Sequence, residues 1–315
     1  MQVHLYVNCF QQTCTTKEER SYMNYQQFVV VVKEKFTQLL DEDMILQVHT
    51  ALKNNGRERV GLTITKKQIN ISPTIYLEEF YQLYQQGMDI PDIVERLLDI
   101  YHEVHFEHDW QINIVKDFES IRQKIVYKLI NEDKNRTLLE NMPHVTYLDF
   151  AVTYYILYEI EESGIATIPI TNELLQLWDV TLEEIQQNAV RNTPTLLPAN
   201  FKSMQLVIDE LTGTNYSETA DLEGLMYVLT NNLRTFGAAC ILYNDILEQI
   251  AEELGENYYI LPSSIHEMII VPESNSPSKE HLEEIVSEVN QTQVDEEELL
   301  SDKVYYYSLT TKSLS

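Results

Sequence analysis

The chain has 315 residues, 44% hydrophobic and 23% charged, which suits one large domain or two medium ones and excludes general disorder. Fifty acidic residues against 22 basic ones leave a formal charge of −28, which opposes direct binding to nucleic-acid backbones and anionic membranes because both need a basic footprint. No stretch reaches the roughly 18 apolar residues of a membrane helix, no secretory leader is legible, and Cys9, Cys14 and Cys240 are too few for a disulfide framework; the expected address is the cytoplasm.

Met1 to Tyr22 lack a clear period and read as an extension, with Met23 as an alternative start and a short strand over His4–Val7 as the blander reading. A helix is expected from Asn24 to Leu40, with Asn24 as N-cap and Phe28, Val31, Val32, Phe36, Leu39 and Leu40 on one face. The period then changes to two over Ile45–Leu52 and Val60–Thr65, joined by Asn54-Asn55-Gly56, a hairpin signal. Ile69–Tyr76 is extended, and helices follow over Leu77–Gln86, stopped by Gly87, and Pro91–Phe106. Asp117 opens a segment that turns strand-like at Ile125–Ile130, and a short helix covers Asn135–Glu140. Val145–Tyr158 and Ala166–Ile170 are strand candidates, with Asp149–Glu159 open between strand and helix.

In the second half, helices are expected over Asn172–Trp178 and Leu182–Asn192, the latter opened by a capping box at Thr181. Pro194 and Pro198 bracket an extended piece, Met204–Leu211 is a helix ended by Gly213, and Thr214–Gly224 is a polar loop. Leu225–Thr230 and Ala238–Leu242 read as strands and Asp245–Leu254 as a helix closed by Gly255. Tyr258–Leu261 and Met268–Val271 are strands around a Pro262 turn, Lys279–Asn290 a helix, Asp295–Glu298 a solvated helix start, and Val304–Ser308 the last strand. The implied class is α+β, with mixed, largely antiparallel sheets covered by helices. Two sub-domains are expected, 23–142 and 143–315.

Three constellations bear on chemistry. Gly56 to Thr63 has the spacing of a phosphate-binding loop until the lysine position, which holds Leu62, and the following residues read as strand; a hairpin explains the glycines. His102, His105 and His108, interspersed with acids, share a helix flank and are candidate metal ligands, but a solvated helix end accounts for them more simply. Ser263-Ser264-Ile265-His266-Glu267 places acyl-transfer residue types on one turn, with Cys240 as an alternative nucleophile; no nucleophile elbow accompanies them, and serines capping a turn are the simpler account. Among 20 tyrosines, the adjacent pairs Tyr154-Tyr155 and Tyr258-Tyr259 and the run Tyr305–Tyr307 predict one ring in the core and the next outside.

Several stretches resemble a known family: Lys53–Gly56, Asn70–Leu77, Ile125–Asn131, Asn192–Pro194, Met226–Asn231, Gly237–Tyr243, Ile260–Glu267 and Ser301–Tyr307. In order and content they are similar to domain of unknown function 5688, an uncharacterised bacterial family of anaerobic Gram-positive gut bacteria. The resemblance runs from about Met23 to about Tyr307. It implies no activity, cofactor or catalytic residue, and suggests that the Pro262–Glu267 turn and Gly237–Tyr243 belong to a shared framework.

The leading functional expectation is an acidic, tyrosine-rich binding protein whose partner, if held electrostatically, is a basic protein. A hydrolase-like enzyme using Ser264, His266 and Glu267 is the first alternative, and a nucleic-acid mimic the second. No cofactor is called for, and the oligomeric state stays open.

Overall fold

The structure, a computed structural model, describes residues 2–5, 23–41, 44–66, 72–106, 115–161, 164–213 and 225–315; at 2–5, 66, 72–73, 103–106, 159–161 and 164 it describes backbone alone. The expected loop Thr214–Gly224 and most of the expected extension lie outside these residues. The fold is α+β. Two compact units divide it, each discontinuous in sequence: unit 1 is Met1–Lys53, Arg57–Ile121 and Ile156–Pro169, and unit 2 is Asn54–Gly56, Arg122–Tyr155 and Ile170–Ser315. The position 142/143 expected as a boundary falls inside unit 2.

Unit 1 opens with β1 (Gln2–Leu5) and α1 (Tyr25–Thr37). Asn24 caps α1 as its sequence predicts: its side chain accepts from Gln27 N at 2.9 Å, and Gln27 Oε1 accepts from Asn24 N at 3.1 Å. The helix stops three residues early, so Leu39 is exposed rather than on the apolar face. Strands β2 (Met44–Leu52) and β3 (Glu58–Lys66) pair without a register break, and β4 (Ser72–Tyr76) joins β3 antiparallel. α2 (Glu78–Gln85), ended by Gly87 at φ +110°, α3 (Ile90–Phe106) and the short α4 (Phe118–Ile121) follow. Phe28, Val32 and Phe36 of α1 meet Leu62 and Ile64 of β3, Phe80 of α2, and Ile93 and Leu97 of α3 in one apolar cluster. Each fully buried ring or branched chain contributes about 2–3 kcal/mol.

The chain enters unit 2 with β5 (Ile125–Asn131), then α5 (Arg136–Leu139), β6 (His144–Tyr147) and β7 (Phe150–Glu161). A single strand was expected over Val145–Tyr158. It is a hairpin instead, because Leu148 adopts φ +58° and, with Asp149, turns β6 back on β7 from the Tyr147–Phe150 pair onward. β7 resolves the ambiguous segment as strand, and its second half together with β8 (Gly164–Pro169) returns to unit 1, where β8 pairs antiparallel with β1. β1 pairs on its other side with β4, in parallel.

The rest of unit 2 comprises α6 (Asn172–Trp178), α7 (Leu182–Leu196), β9 (Ala199–Ser203), α8 (Met204–Thr212), β10 (Tyr227–Asn231), α9 (Ile246–Leu254), β11 (Tyr258–Ser264), β12 (Glu267–Pro272), α10 (Lys279–Thr292), β13 (Tyr305–Ser308) and β14 (Ser313–Leu314). The strands order as β14-β13-β11-β12-β10-β9. Four expectations change here. α7 runs through Pro194 to Leu196, because a proline in the last turn forfeits one intrahelical bond while Leu197 N still reaches Thr193 O at 2.8 Å. Gly237–Leu242 is a 3₁₀ helix rather than a strand; a short apolar run is ambiguous by periodicity. Pro262 lies inside β11, at the register shift between Leu261 and Ser264, where its missing N–H costs no ladder bond; the reversal comes at Ile265-His266. Asp295–Glu298 is a turn held by Asp295, whose carboxylate accepts from Glu297 N at 2.8 Å, and not a helix start. The adjacent tyrosines split between faces at one end of the unit only: Tyr258, Tyr305 and Tyr307 are buried while Tyr259 and Tyr306 are part-exposed, but Tyr154 and Tyr155 are both buried, because β7 is covered on both faces there. Among the described residues, no helix is long and apolar enough to cross a membrane.

Candidate functional site

The turn singled out by its serine, histidine and glutamate lies in unit 2. Ser264 pairs with Glu267 across the β11–β12 hairpin, leaving Ile265 and His266 at its tip. Ser264 is buried, and its Oγ accepts the His266 backbone N–H at 3.1 Å, so its hydroxyl oxygen serves the turn. The His266 ring has two partners of its own. Nδ1 accepts the Phe236 backbone N–H at 3.2 Å, which leaves the proton of the neutral ring on Nε2, and Nε2 faces Glu298 Oε1 at 3.4 Å. Neither ring nitrogen is engaged by Ser264 or Glu267. Cys240 is 0% exposed and donates to Thr230 O at 3.1 Å; burial pushes its thiol up to about 12, which keeps it protonated and a poor nucleophile. Glu267 is held above the usual carboxylate range by burial first, with Glu298 adding to the rise and His266 and Arg234 opposing it.

Glu298 reaches His266 through the backbone. Ile265 N donates to Glu298 O at 2.8 Å, and Ser264 bridges Leu299, so the acidic turn is laid against the hairpin tip. Asparagines fasten the same turn from the other side. Asn55 Nδ2 donates to Glu296 O at 2.7 Å and to Leu299 O at 2.8 Å, Asn54 Nδ2 donates to Glu297 O at 2.5 Å, and Asn131 Nδ2 donates to Leu300 O at 2.9 Å. Asn55 holds this position at φ +57°, a left-handed conformation that asparagine tolerates better than most residues. Asn135 bonds both the Asn55 backbone N–H, at 2.8 Å, and its side-chain oxygen, at 3.0 Å. The Asn-Asn-Gly step is thus more than a hairpin signal; its side chains hold the segment that carries Glu298.

A second group, which the sequence reading missed, also meets Phe236. Lys128 projects from β5, and its Nζ lies 4.5 Å from the centroid of the Phe236 ring. The same ring is stacked with His266 at 5.7 Å and 15°, and meets Tyr155 edge-on at 5.4 Å. No carboxylate comes within ion-pair distance of Lys128 among the described residues, and burial lowers its pKa to about 8. The signal was available in Ile125-Val126-Tyr127-Lys128-Leu129-Ile130, a strand buried at every other position, where one lysine interrupts an apolar run. Phe236 itself sits at φ +56°, fixed by a loop in which Asn231 Oδ1 accepts from Leu233 N at 3.0 Å and Asn231 Nδ2 donates to Thr235 O at 2.7 Å. Gly237 follows because a Cβ there would lie 2.5 Å from His266 O and 2.7 Å from Asn231 N.

Of the histidine candidates, His102 is exposed, while the His105 side chain and all of His108 lie outside the described residues. No group of three or more metal-ligating side chains converges among the described residues.

A second surface of unit 2 brings together tyrosine and acid. Tyr259 and Tyr306 pair across β11 and β13 with ring centroids 5.1 Å apart, and Tyr306 OH donates to Glu273 Oε1 at 3.0 Å. α10 packs Leu282 and Val286 against this face of the sheet, where Tyr259 borders them. The outer side of α10 carries Glu280, Glu283, Glu284, Ser287, Glu288 and Gln291 around one open depression.

The chain belongs to a family of unknown function, DUF5688, whose model matches residues 25–309. No curated protein and no solved structure matches it.

Proposed function

We propose that this member of the DUF5688 family is a cytoplasmic binding protein that captures a basic protein segment on the acidic, tyrosine-bearing face of unit 2. The observation that carries the reading is the row of carboxylates around the open depression on the outer side of α10. The spacing of Glu280, Glu283, Glu284 and Glu288 puts them on one side of the helix, and no Lys or Arg ion pair among the described residues neutralises them. His281 Nδ1 faces Glu284 Oε2 at 3.4 Å, but like charges this closely spaced on a helix remain costly to the free protein, and a cationic partner relieves that cost on binding. The tyrosine faces add a site for lysine or arginine cations. A formal charge of −28 speeds encounter with such a partner and keeps other copies of the chain away. A free, buried Cys240 suits a reducing compartment.

The test is titration of the full chain with a 12-residue lysine-rich peptide, read by calorimetry at two salt concentrations. Binding is expected to weaken as salt rises, and E283K/E284K/E288K is expected to weaken it by about tenfold or more, the scale of one or two lost charge contacts. Loss of ring contact in Y259A/Y306A gives a smaller decrease. Equal binding by wild type and the triple charge variant would remove this face from the interaction.

A further inference from the structure

We propose that Lys128 is a nucleophilic amine site that takes a small aldehyde as an imine, with the Phe236 ring as its floor. Three features of the structure converge there.

The first is the absence of a counter-charge. Fifty acidic residues surround 22 basic ones in this chain, yet Lys128 has no carboxylate in ion-pair range among the described residues and rests on an aromatic face instead. A lysine kept for structure is normally paired or solvated at the tip.

The second is the construction of the floor. Phe236 occupies a left-handed backbone conformation that is unfavourable for a phenylalanine, and such outliers persist where surroundings over-determine them. Here the surroundings are the Asn231 hydrogen bonds, the Gly237 close approach and the His266 stack. The loop is spent on placing one ring under one amine.

The third is the protonation of the amine. Its neutral form is populated near neutral pH because burial opposes the charge, which is how amines are activated for carbonyl addition. The titratable groups around the ring are Tyr155 and His266, with Glu298 and Glu267 beyond the imidazole.

The step balances without a redox partner. The neutral Nζ adds to the carbonyl carbon, one amine proton passes to the oxygen to give a carbinolamine, and loss of water leaves the C=N bond. A return of water reverses it. The site is distinct from the acidic face of α10, and its success or failure leaves the binding proposal untouched.

The experiment treats the full chain with propionaldehyde and cyanoborohydride at pH 7 and maps alkylated lysines by mass spectrometry against time. A pKa near 8 gives a neutral fraction at pH 7 about 300-fold above that of an ordinary lysine. Lys128 is therefore expected to be modified at least about tenfold faster than the exposed Lys33 and Lys134, after allowance for restricted access. Its rate is expected to rise with a midpoint near pH 8. K128M, checked for native circular dichroism, serves as the blank for that peptide. Modification of Lys128 at or below the rate of Lys33, or a rate with no midpoint below pH 9, overturns the proposal, since a merely structural buried lysine would be shielded.

Discussion

The cluster under α1 in unit 1 and the hairpin-tip centre in unit 2 are held by different physics. In unit 1, apolar residues at helical and strand periods converge, and α1, α2 and α3 close over β3 with aromatic rings in contact: Tyr25 with Tyr81 at 5.1 Å, Phe28 with Tyr81 at 5.2 Å and Phe28 with Tyr84 at 5.5 Å. In unit 2, the decisive contacts run from side-chain amides to backbone carbonyls far away in sequence, such as Asn55 to Leu299 and Asn131 to Leu300. Burial of apolar area is non-directional and tolerates imprecision, whereas an amide bonded to two carbonyls fixes a loop to within a few tenths of an ångström. That difference suits a scaffold on one hand and a site on the other.

The comparison breaks hardest at Phe36. Phe36→Ala removes a fully buried ring from unit 1 and is expected to cost about 3–5 kcal/mol in urea unfolding. Gly237→Ala comes next. Its Cβ meets backbone atoms of two other segments, which have no rotamer to escape into, so about 3 kcal/mol is expected from overpacking. The two variants are to be compared by hydrogen exchange in the loop around Phe236 as well as by stability. Phe36→Ala should leave the local environment of Phe236 native in the folded fraction, while Gly237→Ala should alter it.

Most of unit 1 was legible because its signals are local: the Asn24 N-cap, the 28/32/36 spacing, the Asn-Gly hairpin and the Gly87 stop all act within a few residues. Within unit 2 the helices and strands were legible for the same reason, and the misses share a cause. Pro262 and Pro194 were read as breaks, but a bulge and a final helical turn accommodate them. β9 and the 3₁₀ segment depend on partners rather than on period: β9 on its pairing with β10, and Gly237–Leu242 on close packing around Thr230 and His266. Of the site, the hairpin turn was visible in sequence, whereas Glu298 and Lys128 were not linked to it. Glu298 is brought in by a backbone bridge, and Lys128 by a ring contact across strands, and neither leaves a mark in sequence spacing.

Lys128 gives the comparison a pH axis. Its folded pKa, about 8, lies below the ordinary 10.5, so the unfolded chain holds the proton more tightly. The penalty is full below pH 8 and disappears as pH rises towards 10.5. A shift of this size, discounted for partial exposure, is worth about 2 kcal/mol. K128M is therefore expected to be more stable than wild type at pH 7, with the gap closing by about pH 10. Tyr25, Tyr243 and Tyr258, whose hydroxyls burial raises well above their usual range, destabilise both proteins alike above pH 10 and cancel in the difference. A gap that stays constant from pH 7 to 10 would show that Lys128 is not charged against its surroundings.

Asn135→Ala probes the amide network with an effect of about 1–3 kcal/mol, since it strands the Asn55 N–H and side-chain oxygen together. Its sharper consequence is local: hydrogen exchange should quicken at Ile265, whose amide depends on the Glu298 carbonyl, ahead of any change in α1.

The smallest effect returns to unit 1. Asn24→Ala removes the side-chain acceptor for Gln27 N but leaves the apolar face of α1 untouched, so a loss of about 1 kcal/mol is expected. The partner bond from Asn24 N to Gln27 Oε1 survives the substitution, because it uses the backbone of residue 24. Gln27→Ala removes the other half of the box, and the double variant should fall short of the sum if the two bonds support one another. Strict additivity would mean that each bond acts alone and that α1 owes its start to the burial of Phe28 rather than to its cap. In that case unit 1 would rest on apolar packing even at its helix end, and the contrast with the amide-held turn of unit 2 would be wider than the paired cap bonds of α1 suggest.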